Sequence, residues 1–533
     1  MPTDCIPFKK TNYFSSLICD YLEEQPQLKP FYNRFPKLDN FKSQIEEKQN
    51  SYPSASRTVL VNALKAQYKN VDISGKTLQN IDDLADNNTF TITTGHQLNL
   101  FTGPLYFVYK IISTINLCET LKTAHPQHNF VPIYWMATED HDFEEINFFN
   151  FQGKKIQWNR DASGAVGELD LEGLDDVFTV FSNQLNTSKN AETLKNLFKN
   201  AYLKHQNLAE AMRYLVNELF ADFGLVILDG NDAALKQLFV PYMKDELVNK
   251  TAFKKVSQTN LKLDAVDDAY KIQVNPREIN LFYITENLRE RLIEKEGVYQ
   301  VNNTQITWSE TEILNELQKH PERFSPNVIM RPLFQEVILP NLCYIGGGGE
   351  LAYWFQLQSN FETQKVTFPM LLLRNSVVVM TEKQSDKLEK LNLSVEELFL
   401  KQNKLVVKMT KDLSDIDIDF STQKTHLQQQ FKALYELAEK TDQSFKGAVA
   451  AQEVKQIKGL EHLEKRLLKA QKRNLKDVLD RAIFLQNELF PGQSLQERNA
   501  NFSEVYMEFG DTLIHKLKAQ LNPLQGEFLI IKL

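Results

Sequence analysis

The sequence predicts an α/β fold: a Rossmann-like parallel-sheet core with insertions, joined to an α-helical coiled-coil arm. Three observations predict it. Short apolar runs ending in polar loops alternate with helical stretches through the first 380 residues. Glycine and proline then nearly vanish from about residue 385 to 489, where Lys, Glu, Gln and Leu dominate. The chain has 533 residues, more than the roughly 250–300 at which a single hydrophobic core stops growing.

Residues 1 to about 88 read as polar helices with Phe and Tyr anchors. The core begins at Thr89–Thr94, a β-rich run leading into the loop Gly95-His96-Gln97. Gly103-Pro104 then opens an apolar helix, proline being suited to a first turn. The same grammar returns four times. Phe130–Met136 ends in Glu139-Asp140-His141-Asp142, and Gly224–Leu228 ends in Asp229-Gly230-Asn231-Asp232. Asn341–Ile345 ends in four glycines, and Met370–Leu373 ends in Arg374-Asn375-Ser376. Continuous apolar strands alternating with helices imply a parallel sheet covered on both faces. Residues about 150–220 and 250–325 read as insertions.

The expected domains are a core over 1–380, an arm over 381–489 and a C-terminal segment, 490–533, returning to the core. Leu460, Leu463, Leu467 and Ala470 follow a 3-4-3 coiled-coil spacing. Glu527–Leu533 reads as a last strand added to the core sheet.

Hydrophobic residues make up 42% and charged residues 24%, with a net charge of −8. That balance disfavours a general nucleic-acid binder, which needs a basic footprint. The four cysteines, Cys5, Cys19, Cys118 and Cys343, form no C-x-x-C pair, so neither a cysteine zinc site nor a disulfide framework is expected. The first residues show no signal-peptide pattern, and no apolar run reaches the roughly 18 residues of a membrane span. A cytoplasmic chain is expected, with no membrane or nucleic-acid partner and no resident metal.

In open α/β sheets ligands bind beyond the carboxyl ends of the strands, which puts all these polar loops on one rim. A glycine-flanked loop with His96, Gln97, Thr102 and Gly103 offers N–H donors and a histidine to an anion. Its bland alternative is a tight turn. Glu139, His141 and Asp142 crowd charge that something positive must offset; the alternative is a solvated helix start. Gly346–Gly349 with Glu350 reads as a loop for close backbone approach, with Gly347 and Gly348 facing substrate. Asp229 closes its own strand. Arg331 suits a carboxylate or phosphate, with Gln335 one turn later. Arg374, Asn375 and Ser376 end a buried strand near phosphate, and Gln496 and Arg498 are placed to close over that side. Lys408-Met409-Thr410-Lys411 mimics a synthetase lysine loop, but it falls inside the predicted arm. The basic run from Lys465 to Lys476 is interleaved with acids and reads as a solvated coil face.

Four segments resemble a known family. They are Thr94-Gly95-His96-Gln97 through Phe101-Thr102-Gly103-Pro104, and Glu139-Asp140-His141-Asp142-Phe143-Glu144-Glu145. The third runs from Arg331-Pro332-Leu333-Phe334-Gln335-Glu336 to Glu350-Leu351-Ala352-Tyr353-Trp354, and the fourth is Leu495-Gln496-Glu497-Arg498. In this order, over nearly the whole chain, they resemble the cysteine-adding ligases of bacillithiol biosynthesis.

The resemblance implies a class I synthetase-like core with connecting-peptide insertions and an arm that makes a homodimer. It implies amide formation between cysteine and glucosaminyl malate, with an adenine nucleotide (ATP or ADP) and Mg²⁺ as cofactors. On that reading His96, Glu139, His141 and Asp142 are catalytic. Backbone donors and His96 hold the activated carboxyl, and Glu139 or Asp142 takes the cysteine ammonium or deprotonates the attacking amine. Arg331 grips the malate carboxylates. Two other classes stay open at this point: a nucleotide-sensing scaffold working through its arm, and a metal-dependent hydrolase using His96, His141 and Asp142.

Overall fold

Every side chain from Thr89 to His96 is buried, which a strand achieves only when both sheet faces are covered. In the computed structural model, which describes residues 4–533, this strand (β1) lies at the centre of a five-stranded sheet. Its partners are β2 (Asn129–Met136), β3 (Val226–Asp229), β4 (Asn341–Gly346) and β5 (Met370–Leu373). The order is β5-β4-β1-β2-β3, and every pairing is parallel. The chain steps outward from β1 to β3, then returns to place β4 on the other side of β1. The reversal between β1 and β4 is the switch point at which such sheets bind ligands. Gly95 and His96 pair with Trp135 and Met136, so the expected loop at these two residues is instead the end of β1.

Four helices of this region matter below. They are α1 (Tyr106–Ala124), α2 (Ala233–Asn249), α3 (Arg331–Ile338) and α4 (Gly348–Trp354). Helix α1 is apolar around most of its circumference, burying Phe107, Val108, Tyr109, Ile111, Ile112, Leu117 and Leu121. Each such side chain contributes roughly 1.5–3 kcal/mol by leaving water. Pro104 lies just outside the helix rather than in its first turn, because Leu105 is the N-cap.

The first insertion holds a hairpin, Phe148–Phe151 with Lys154–Gln157, and three helices. The second holds a helix, Thr251–Asp264, and an antiparallel sheet that includes Leu281–Thr285, Leu288–Lys295 and Phe324–Pro326. The C-terminal strand, Phe528–Lys532, does not join the core sheet as expected. It pairs antiparallel with Asp4–Ile6 and lies beside Val377–Met380 in a separate three-stranded sheet. The cause is local: Leu529 N–H donates to Ser376 O just past the end of β5.

The chain divides into two compact units, one of Met1–Val379 with Gln496–Ile531, the other of Met380–Leu495. In the second, α5 (Ser421–Ala438) and α6 (Gln443–Asn474) pair antiparallel, and α7 (Lys476–Leu489) follows. Phe431, Ala438 and Val449 are buried between the pair, and Lys424 Nζ meets Glu464 at 2.5 Å. The predicted seam is not the buried one, since Leu463 is 53% exposed. Lys408-Met409-Thr410-Lys411 lies inside the helix Gln402–Asp412 with Met409 and Thr410 buried. It is no loop.

Candidate active site

At the switch point, strand ends and loops enclose a cavity of about 500 Å³. The end of β1 supplies His96, 8% exposed, with its ring centroid 5.5 Å from Tyr106 and 5.1 Å from Phe107. Burial pushes its pKa well below the usual value, and the positive charges of Lys110 and Arg374 add to that. The imidazole is therefore neutral, and its Nε2 has no partner. Gln97 donates to Asp140 Oδ2 at 2.9 Å and to Glu145 Oε2 at 2.8 Å, which makes it a brace for the acidic loop.

That loop follows β2. Glu139 Oε1 lies 2.6 Å from the fully buried Lys236 Nζ of α2, a charge contact without hydrogen-bond alignment. Burial of Asp140 opposes its ionisation. Hydrogen bonds from His141 and Gln97 and the charge of Arg289 outweigh this and hold it well below the ordinary carboxylate range. Thr138 donates to Asp229, which also receives Asn231 N–H at 2.8 Å. Burial raises the pKa of Asp229, whose role here is to hold the loop rather than to face the cavity.

Much of the remaining lining is cationic. Arg331, first residue of α3, has its guanidinium 5.8 Å from the Trp135 ring and 5.9 Å from the Tyr344 ring. It donates to Gln335 Oε1 and Tyr353 Oη, both at 3.1 Å. Among the described residues it forms no ion pair. Arg374 donates to Glu497 Oε1 at 2.8 Å and to Ser376 Oγ at 3.1 Å, while its Nε is buried without a partner. Arg498 also lines the cavity. Lys110 of α1, also buried, donates to Gly95 O and to Glu350 Oε1, both at 2.7 Å. Burial lowers its pKa and Glu350 opposes that.

No glycine of the run 346–349 has a positive φ, so conformational freedom is not its use. A Cβ on Gly347 would stand 3.5 Å from Glu350 Oε2 and 3.9 Å from Arg374 Nε. At Gly346 packing forbids a side chain, since a Cβ would meet Tyr344 Cε1 at 2.9 Å, while Gly347, Gly348 and Gly349 line the cavity. Glu350 caps the loop by accepting Gly347 N–H, so that donor is already taken.

The cavity thus gathers His96, Gln97, Glu139, Arg331, Gly347, Gly348, Glu350, Arg374 and Arg498 from the sequence candidates. The remaining candidates lie outside its lining. Thr102 and Gly103 form a strained turn, with φ of 68° and 62°, tied down by Asn501 through Phe101 O and Gly103 O. A Cβ at Gly103 would meet Asn99 Cβ at 2.5 Å, so packing dictates this glycine. Asp142 is exposed, and the half-exposed His141 accepts from Arg289 at 2.7 Å. Gln335 backs Arg331, Asn375 is bound by Ser113 and Asn522, and Ser376 supports Arg374. Gln496 pairs with the backbone of Val379. Lys110, Arg289, Trp135 and Tyr344 line the cavity but carry no motif, whereas Tyr353 lies in the Glu350–Trp354 segment. Among the four, Lys110 stands out in the sequence as the single lysine in the apolar run Leu105–Leu117.

The comparisons match this architecture. The family described as "Bacillithiol biosynthesis BshC, N-terminal Rossmann-like domain" matches residues 1–375, and its C-terminal coiled-coil domain matches residues 377–533. A protein of Christiangramia forsetii named "Putative cysteine ligase BshC" is 58% identical over 535 residues, covering 100% of this chain and 99% of its own. A Flavobacterium johnsoniae protein of the same name is 59% identical over 531 residues, with 100% of both chains covered. A solved arginyl-tRNA synthetase from Plasmodium falciparum aligns over 83% of this chain and 77% of its own. Its 11% identity and TM-score of 0.20 are too slight a likeness to support any argument.

Proposed function

The chain belongs to the BshC family of bacillithiol biosynthesis, and on that footing we propose that it is a carbon–nitrogen ligase joining the carboxyl of cysteine to the amine of glucosaminyl malate. The observation that carries this reading is the charge of both signs that the cavity gathers: Glu139, Asp140 and Glu350 line it together with Lys110, Arg289, Arg331, Arg374 and Arg498.

An amino acid entering as a zwitterion fits the acid loop through its ammonium group. A dicarboxylate fits Arg331, whose half-buried charge donates hydrogen bonds only to neutral oxygens. A guanidinium pairs with a carboxylate in bidentate geometry, so a substrate carboxylate would supply the counter-charge it lacks. Neutral His96, with Nε2 free of any partner, can accept the proton that the sugar amine sheds as it attacks, an assistance of roughly 10²–10⁴-fold.

Amide formation from a free carboxylate releases water and needs activation, which an adenine nucleotide with Mg²⁺ supplies. Arg374, with its unpartnered Nε beside Gly347, and Arg498 are the groups suited to its phosphates. The protein works in the cytoplasm as a homodimer, its half-exposed Leu463 face lying against the same face of a second copy. Among the described residues no helix is long and apolar enough to cross a membrane. Nor do three His, Cys, Asp or Glu side chains converge as metal ligands. The hydrolase reading loses its footing because His96 lies in the cavity while Asp142 is exposed outside it.

Purified protein is incubated with cysteine, glucosaminyl malate, ATP and Mg²⁺, and mass spectrometry follows the amide and the nucleotide. Amide with AMP supports adenylate activation, and amide with ADP an acyl phosphate. No amide from folded protein rejects the ligase reading.

A further inference from the structure

Behind Arg331 a buried polar chain leads away from the cavity. Gln335 Nε2 donates to Glu336 Oε1 at 2.9 Å, and Lys48 Nζ lies 3.1 Å from Glu336 Oε2. Lys48 and Glu336 are each 1% exposed and stand 288 residues apart. Asn341 Nδ2 also donates to Glu336 Oε1, at 2.7 Å, and Asn341 Oδ1 accepts the Thr93 hydroxyl of β1 at 2.9 Å. A buried ion pair is a poor source of stability, since apolar residues of similar volume often do as well or better. Its presence one residue from the Arg331 acceptor calls for another account.

An amide side chain has a donor end and an acceptor end, whereas an ionised carboxylate only accepts. Glu336 therefore obliges Gln335 to turn its NH₂ inward, which turns its carbonyl toward Arg331. Were Gln335 reversed, its NH₂ would face the guanidinium, and neither group could bond the other. Burial works against the charge of Glu336, and Lys48 offsets that burial.

We infer that Lys48, Glu336 and Gln335 form a positioning relay that fixes the Arg331 guanidinium for an anionic substrate group. This rests on the proposed role of Arg331 in holding the malate moiety. The relay ties the cavity to the N-terminal helix Phe41–Ser51, a segment with no other part in the site.

The test uses the full chain with Glu336→Gln, Gln335→Met and the double variant Lys48→Met/Glu336→Gln, which leaves no unpaired buried charge if the single substitution fails to fold. Steady-state kinetics and thermal unfolding are measured for each. The expected result is a KM for glucosaminyl malate raised roughly tenfold or more, the scale of one lost hydrogen bond to a charged group. The KM for cysteine and kcat should stay near wild type. Folded variants with unchanged KM overturn the relay. So does a parallel fall of kcat and both substrate affinities with lowered thermal stability, the mark of a merely structural role. If wild type makes no amide, the ligase reading has failed, and calorimetric titration with malate judges the relay alone. Malate binding lost in Arg331→Met and weakened in Glu336→Gln sustains it. Equal binding in all three, or none in wild type, overturns it.

Discussion

The cavity has two walls held in place by different means. One stands on the sheet: His96, Glu350 and Arg374 lie at or just beyond strand ends, and backbone pairing along β1, β2, β4 and β5 fixes where they are. The other comes from the second insertion, which contributes Arg289, Pro326, Asn327 and Val328. Besides the backbone bond from Arg331 N–H to Asn327 O at 2.8 Å, its tie to the core runs through side chains. Asn327 Nδ2 donates to Asn280 Oδ1 at 3.0 Å, and Asn280 donates to Glu246 Oε1 through N–H at 3.0 Å and Nδ2 at 2.7 Å. Glu246, fully buried on α2, accepts Ala252 N–H on its other oxygen at 3.0 Å. The sheet wall follows from topology, while the insertion wall depends in part on one ionisable group.

Arg331 opens α3, which leads directly into β4, so it belongs with the sheet wall, and that wall should carry most of the binding energy. Arg331→Met is expected to lower kcat/KM by roughly 10²–10³-fold, mainly through KM for the malate-bearing substrate, the range for losing one partner of a buried charge pair. Kinetics on both substrates checks this. An equal loss on removing Arg289 would break the comparison, because the two walls would then contribute alike.

The insertion wall should show itself in pH dependence. Burial raises the pKa of Glu246 to about 7 from the ordinary 4.5, against the hydrogen bonds from Asn280 and Ala252. A raised carboxyl pKa means that the folded chain binds this proton more tightly than the unfolded chain does. The resulting stability is full below about 4.5 and is lost as pH rises through about 7. Glu246→Gln removes this titration. Across pH 4.5–7.5 the unfolding free energy of wild type should fall relative to the variant by about 3 kcal/mol, read by denaturant titration at each pH. A constant difference would show that Glu246 does not titrate in this range and that its tie is as fixed as the sheet.

The same division explains what the sequence made legible. All five core strands were readable, because a strand buried on both faces is an uninterrupted apolar run. The polar residues at their ends followed from the rule that ligands bind there, and His96, Gln97, Glu350 and Arg374 do line the cavity. Thr102, Gly103 and Ser376 do not, since such residues also make turns, caps and braces. A glycine needed for packing against Asn99 looks in sequence like one needed for a ligand. Arg289 was illegible for a different reason. Nothing local in Leu288–Lys295 says that this strand folds back onto the β2 loop, and the contact that brings it there is long-range. Lys110 was visible only as a break in an apolar helix, and its partner Glu350 lies 240 residues away. The coiled-coil arm was legible, but the seam within it was not. Packing of α5 on α6 chose Phe431, Ala438 and Val449 over the more regular leucine spacing.

The smallest expected effect belongs to the residue whose motif suggested most. Asp142 follows Glu139, Asp140 and His141, and four ionisable groups in a row suggest a shared task. The structure separates them. Glu139 turns toward Lys236, Asp140 is locked by Gln97 and His141, and His141 is spent on Arg289. Asp142, at the start of the one-turn helix Phe143–Ile146, caps nothing and is exposed. An exposed charge interacts with its surroundings by a few tenths of a kcal/mol. Asp142→Asn should therefore change kcat/KM by less than about twofold and leave thermal stability essentially unchanged. A loss of tenfold or more would mean that the β2 loop swings Asp142 into the cavity when substrate binds. The acid side would then be a moving part, and the rigid wall would be confined to the arginines.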